Sequence, residues 1–169
     1  MKIFTENDSS EKAILSTPSD VLLSSDMKEM NILIRKMREF LERTNRSGLS
    51  APQIGILKSF FLAKELNRTS FRVICNPSIV WHSEEIEFDK EECLSLPEKS
   101  IEIQRYSMIM VNYQTLNDLF TGEISERTLF GKESKQWQHF IDHLNGILIS
   151  KSNEEEEEEE VLLPKKELE

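Results

Sequence analysis

The sequence predicts an α+β fold, and three observations carry that prediction. An amphipathic helical pattern lies near the N-terminal side. Short apolar, strand-like segments fill the middle, and a second helical pattern follows them. Helix, strands, then helix is the order of an α+β domain rather than of strict strand–helix alternation. With 169 residues and 38% apolar side chains, the chain suits one core of ordinary size.

The first helix is predicted from Asp26, read as its N-cap with Glu29 three residues on. Met30, Leu33, Ile34, Met37 and Leu41 then share one face, and Arg35, Lys36, Glu39 and Glu42 fill the other. Asn45-Arg46-Ser47-Gly48 ends it. Strands are predicted at 59–63, 71–75, 79–82, 84–88, 100–104 and 108–113, with Asn76-Pro77 as a break. Asn117-Asp118 and Thr121-Gly122 predict turns. The second helix is predicted over 132–148, with Trp137, Phe140, Ile141, Leu144 and Leu148 on its packed stripe.

The charge divides unevenly. Of the net −10, −6 falls in residues 151–169, where Glu154–Glu160 is an unbroken run of seven glutamates. Such a block repels itself and stays solvated. The organisation expected is therefore one domain over 1–150 and an acidic, disordered or loosely helical tail over 151–169. An acidic chain lacks the basic surface that general nucleic-acid binding needs, so no direct nucleic-acid partner is expected. Two cysteines make no disulfide framework, and no apolar run approaches the ~18 residues of a membrane span.

His139 and His143 are four residues apart, so both imidazoles lie on one face of the second helix, roughly opposite the Trp137/Ile141/Leu148 stripe. They can reach one ion. Cys93, read alone, is either a small buried thiol or a third ligand. One thiolate with two imidazoles is a donor set that leaves a fourth position open, as catalytic metal sites do. Cys75, His82 and Trp137 read as structural residues.

Gly48-Leu49-Ser50-Ala51-Pro52-Gln53-Ile54-Gly55 resembles the first signature of peptide deformylases, G-x-G-L-A-A-P-Q-I-G. Glu91-Glu92-Cys93-Leu94-Ser95 resembles the second, E-G-C-L-S, and 138–146 resembles the third, Q-H-E-x-D-H-L-x-G. The three occur in the family's order, and the resemblance covers 14–149. It implies a sheet framework, antiparallel or mixed, around a central helix carrying both histidines, with an N-terminal helix beside it. It implies a metal-dependent hydrolase that removes the N-formyl group from the N-terminal methionine of nascent peptides. Cys93, His139 and His143 would hold one divalent ion, Fe²⁺ or Zn²⁺. Gln53 and the backbone N–H of Leu94 would bind the oxyanion, and Gly48, Leu49 and Glu92 would lie along the substrate. A monomer in the cytoplasm is expected, with an organelle of bacterial origin as the alternative.

Three positions depart from the family pattern. Phe140 stands where the third signature has Glu, the residue that takes a proton from the attacking water and passes it to the leaving amine. Arg46 and Glu92 stand where the first two signatures have glycine. Phenylalanine cannot move a proton, and loss of a general acid–base group costs about 10²–10⁴-fold in rate. Impaired hydrolysis is the expectation, with a non-catalytic metal- and peptide-binding protein as the alternative. Asp142 is read as a residue that supports the histidines rather than a ligand. Glu92 is read as facing solvent, because strand neighbours point to opposite faces.

Overall fold

The computed structural model describes residues 1–65 and 69–150, so the expected acidic tail lies outside the described residues. Helix α1 (Ser9–Leu15) opens the order and was not predicted from the sequence. Asp8 caps it, accepting from the backbone N–H groups of Ser10 and Glu11. Helix α2 (Met27–Thr44) buries Met27, Ile34, Met37 and Leu41, with Met30 and Leu33 partly buried against the same core. Asp26 does not cap α2 through its side chain. A 3-10 turn, Ser24–Asp26, leads into the helix instead. The Asp26 carboxylate accepts from the N–H of Leu23 and pairs with Lys58 at 3.0 Å. Asn45, left-handed at φ 50°, ends α2.

The main sheet has five antiparallel strands in the order β1 (Gly48–Ser50), β2 (Phe60–Lys64), β3 (Phe71–His82), β6 (Met108–Gln114) and β7 (Ser125–Phe130). Strands β4 (Ile86–Cys93) and β5 (Leu96–Tyr106) form a separate hairpin. The predicted break at Asn76-Pro77 is instead a bulge inside one long strand. The β3–β6 register slips between Cys75 and Ser78, and Asn76 sits at φ 49°. The Asn76 side chain fastens this bulge, accepting from Leu22 N–H and donating to Leu22 C=O and to the Gln114 side chain. Strand β7 is too polar for an apolar pattern to reveal; its pairing with β6 defines it. Between β6 and β7 lies α3, a single turn (Asp118–Thr121).

Helix α4 (Gly131–Leu144) packs Trp137, Phe140, Ile141 and Leu144 into a cluster with Phe61, Ile74 and Val111 from the sheet. Burying each such side chain contributes about 1.5–3 kcal/mol. The helix is shorter than predicted: Asn145 caps it and Gly146 turns the chain at φ 72°. A Cβ at 146 would come within 2.7 Å of the backbone of Ser16, so the turn needs glycine for both space and dihedral angle. Leu148 is buried, but beyond the helix rather than on its stripe. The described residues are thus α+β, with antiparallel sheets and α4 set against them. No helix among them is long and apolar enough to cross a membrane.

Candidate metal centre

Gln53 is placed by a local device. Ser50-Ala51-Pro52-Gln53 runs through one 3-10 turn, Ala51–Ile54, and the Gln53 side chain folds back onto the Ser50 backbone while the Ser50 hydroxyl donates to the Phe140 carbonyl. The backbone N–H of Ser50 donates to Gln53 Oε1 at 3.0 Å. That contact turns the amide NH₂ of Gln53 the other way. It lies 3.6 Å from Cys93 Sγ and donates to Ser95 Oγ at 3.3 Å. Gln53 is buried, and these hydrogen bonds fix which way its amide points.

Cys93 closes strand β4, at a register slip in the β4–β5 pairing. His139 and His143 come from α4, on the face turned to the hairpin. The ligand atoms of Cys93, His139 and His143 all lie within 4.8 Å of one another. Cys93 Sγ is 3.1 Å from His143 Nε2. Burial alone would push the Cys93 thiol up, but His143 and His139 outweigh it and hold it well below the usual thiol range. The sulfur also accepts from the backbone N–H of Ser95 at 3.4 Å.

His139 is oriented from behind. Its Nδ1 lies 2.8 Å from Glu91 Oε2, which leaves Nε2 as the nitrogen offered to the cluster. Glu91 is in turn gripped by Arg105, with Nε on Oε1 at 2.7 Å and Nη2 on Oε2 at 2.9 Å. Arg105 also donates through Nη1 to Asp142. Burial opposes the charge on Glu91, yet Arg105 and His139 hold its pKa down at about 2. Burial likewise opposes a charged His139, and Cys93 and Glu91 outweigh it, raising that pKa to about 9. A second link joins helix to hairpin. The side-chain amide of Gln138 accepts from Tyr106 N–H and donates to Tyr106 C=O.

A buried thiolate and two imidazole nitrogens, with ligand atoms all within 4.8 Å of one another, fit a divalent cation of borderline softness. The residues behind them fit it too, since a ligating histidine usually has its other nitrogen held by a carboxylate. Cys93 and His139 line a cleft of about 270 Å³, which Gly48, Gln53, Leu94 and Phe140 also line.

Phe140 fills space rather than presenting a polar group. Its ring centroid lies 5.0 Å from that of Phe61, and it is edge-on to His139. A Cβ on residue 48 would come within 2.3 Å of the Phe140 ring, so the ring rests against the bare backbone of Gly48. Leu49 turns its side chain into the core, which leaves only its backbone to meet a ligand. Glu92 is exposed at the cleft rim. The carboxylate that reaches His139 is its neighbour Glu91. Two residues before Cys93 on one strand, Glu91 shares that residue's face, and period-two alternation could have singled it out. Arg105, in the facing strand, had no such signal. Asp142 meets Arg105 and takes no part in the cluster. His82 stacks on Tyr106, and Cys75 is a core thiol whose pKa burial raises to about 12.

The fold and this donor set define a class: an α+β protein with a Cys/His/His centre suited to one metal ion. Residues 2–159 match the sequence model of the polypeptide deformylase family. The chain is 39% identical over 116 residues to a peptide deformylase of Thermotoga neapolitana, covering 69% of this chain and 67% of that protein. It is 40% identical over 120 residues to one from Desulfotalea psychrophila, covering 69% and 68%. Its fold is similar to the crystal structure of Thermotoga maritima peptide deformylase, with a TM-score of 0.77 and 32% identity over 89% of this chain and 95% of that one. A probable peptide deformylase from synechococcus phage S-SSM7 gives 0.76 and 33% over 90% and 99%. The chain belongs to the polypeptide deformylase family.

Proposed function

We propose that this chain binds the formylated N-terminus of a nascent peptide at a single divalent ion, Fe²⁺ or Zn²⁺, held by Cys93, His139 and His143, and hydrolyses it slowly. The observation that carries the reading is the Gln53 amide, locked by Ser50 and aimed at the same cluster as the two histidines. The ion, when bound, supplies a Lewis acid for the formyl carbonyl and acidity for a water. The chain's own residues do the rest. Gln53 Nε2 and the Leu94 N–H stabilise negative charge on the carbonyl oxygen as it develops. Gly48 and Leu49 offer the backbone of β1, an edge strand of its sheet, to an extended peptide, and Glu92 stands at the rim.

The carboxylates that line the cleft are Asp89, Glu91 and Glu92, and Asp89 is paired with Lys135. Phe140 occupies the place that the family's third signature gives to Glu. Glu91 is committed at both oxygens to Arg105 and His139. Glu92 lies at the rim. These observations also favour the second reading, a binding protein that retains metal and peptide without turnover. Metal analysis combined with formate release from a formyl-Met peptide separates the two. One ion per chain with slow turnover supports the first; one ion with binding and no turnover supports the second. Absence of both ion and peptide binding overturns both. We assign the catalytic unit to 1–150 and treat 151–169 as an acidic appendage, with the protein acting as a cytoplasmic monomer.

A further inference from the structure

The segment ahead of α1 ties together the two stretches of chain that carry the oxyanion donors. The Phe4 N–H donates to the Gln53 carbonyl oxygen at 2.8 Å, and the Glu6 N–H donates to the Ser95 carbonyl oxygen at 2.9 Å. Gln53 supplies one donor through its side chain, and Ser95 follows Leu94, whose N–H is the other. Between the two bonds, the Thr5 N–H donates to Glu11 Oε2 at 2.8 Å. Glu11 belongs to α1 and is buried, and its other oxygen pairs with Lys2. A Cβ at Gly55 would come within 2.5 Å of the Phe4 ring, so that ring lies on the bare backbone ending the Ala51–Ile54 turn. The Glu6 carboxylate accepts from Ser150 Oγ at 2.5 Å.

A buried carboxylate is costly unless each oxygen finds a partner. Both partners of Glu11 lie in the N-terminal segment, so its two oxygens fix the path of that segment. The direct links between the two donor-bearing stretches are longer than those it supplies. Gln53 Nε2 lies 3.3 Å from Ser95 Oγ and 3.6 Å from Cys93 Sγ. Oxyanion donors act only when they are held where the charge develops, and a small displacement weakens them. We propose that Phe4-Thr5-Glu6 is a brace for the oxyanion donors, and that Glu11 is the positioning residue that sets it. The proposal rests on the peptide-binding reading above and deepens it. The brace governs how strongly the formyl carbonyl is gripped, rather than the hold on the ion or on the rest of the peptide.

The test compares wild type, Glu11→Ala and Glu11→Gln as full chains loaded with one Zn²⁺, with metal content and melting recorded for each. Alanine suits the helix but removes the acceptor for Thr5, whereas glutamine keeps an oxygen there. Calorimetric titrations use formyl-Met-Ala-Ser and Met-Ala-Ser, which differ only by the formyl group. Glu11→Ala is expected to weaken formyl-Met-Ala-Ser about 5–20-fold and Met-Ala-Ser by less than about twofold, and Glu11→Gln to recover most of the loss. Phe4→Ala, which lifts the ring from Gly55, is a second variant with the same formyl-selective loss expected. Hydrogen exchange of the Gln53 side-chain amide, followed by NMR without peptide, should quicken in Glu11→Ala while that of Asn76 stays unchanged. Equal weakening of both peptides, no weakening of either, or unchanged exchange at Gln53 overturns the inference while the peptide-binding reading stands. If wild type binds formyl-Met-Ala-Ser no tighter than Met-Ala-Ser, the peptide-binding reading fails, and exchange at Gln53 then decides the brace by itself.

Discussion

Replacing Phe140 by Glu is the most direct perturbation of this site, and its consequences can be worked in two currencies. In stability, the change removes a buried ring from the cluster with Phe61, Trp137 and Ile141. Lost apolar burial and the lost Phe61 contact together cost about 2–4 kcal/mol. The new carboxylate sits among rings, so its folded pKa rises above the unfolded value of ~4.3. A raised acid pKa means that the folded state holds the proton longer. The deficit of the metal-free variant therefore grows as pH rises through and above that unfolded value. In rate, a carboxylate beside His139 restores a general acid–base group. That is about 10²–10⁴-fold, equivalent to about 2.7–5.4 kcal/mol of barrier. The assay is single-turnover formate release at pH 7 from formyl-Met-Ala-Ser. Metal stoichiometry and thermal melting are recorded on the same samples. Wild type turning over as fast as Phe140→Glu, with one ion in each, refutes the argument from the missing proton carrier. So does a folded, metal-bound variant that is no faster than wild type.

Two further outcomes are expected. Gly48→Ala should destabilise the protein by about 1–3 kcal/mol in chemical denaturation, because its Cβ meets both the Phe140 ring at 2.3 Å and the Leu62 carbonyl oxygen at 2.5 Å. Combining it with Phe140→Ala should recover only part of that cost, since Leu62 contributes backbone; full additivity would show that the ring does not rest on Gly48. In the metal-free protein, burial works against a charged His139, yet the Cys93 thiolate and Glu91 hold its pKa at about 9. Loading with Zn²⁺ at pH 7 should therefore expel about one proton, a release that fades as pH rises past that value. Calorimetry in buffers of different ionisation heat measures it, and zero release at pH 7 would refute a thiolate–imidazolium pair in the metal-free site.

The two long helices were legible because their buried faces repeat every 3.6 residues, and Met37, Leu41, Trp137 and Ile141 lie on those faces in the structure. Their ends were less so. Asp26 has the chemistry of a cap, but a preceding 3-10 turn and Lys58 claim its carboxylate. Asn76-Pro77 has the chemistry of a break, and the bulge absorbs it because the Asn76 side chain supplies hydrogen bonds across to Leu22 and Gln114. Strand β7 carries no apolar alternation, because pairing with β6 fixes it from outside. At the site, short-range signals served for residues that act through their own motif, such as Gln53 with Ser50. Arg105 was invisible because its role depends on Glu91 and Asp142, which are 14 and 37 residues away along the chain.

Cys93 and the histidines grow from different cores. Cys93 packs with Leu96, Ile103 and Ile149, whereas the buried face of α4 belongs to the cluster around Phe61 and Trp137. A two-stranded hairpin is marginal by itself. What fastens this one to α4 is directional: the Gln138–Tyr106 amide pair and the chain from His139 through Glu91 and Arg105 to Asp142. During synthesis the hairpin is made first, and His143 follows Cys93 by 50 residues. The cysteine must emerge from the ribosome and wait, its partners not yet translated. Acquisition of an ion by all three ligands is therefore a late event in the life of each molecule, inseparable from the docking of the hairpin against the helix that completes it.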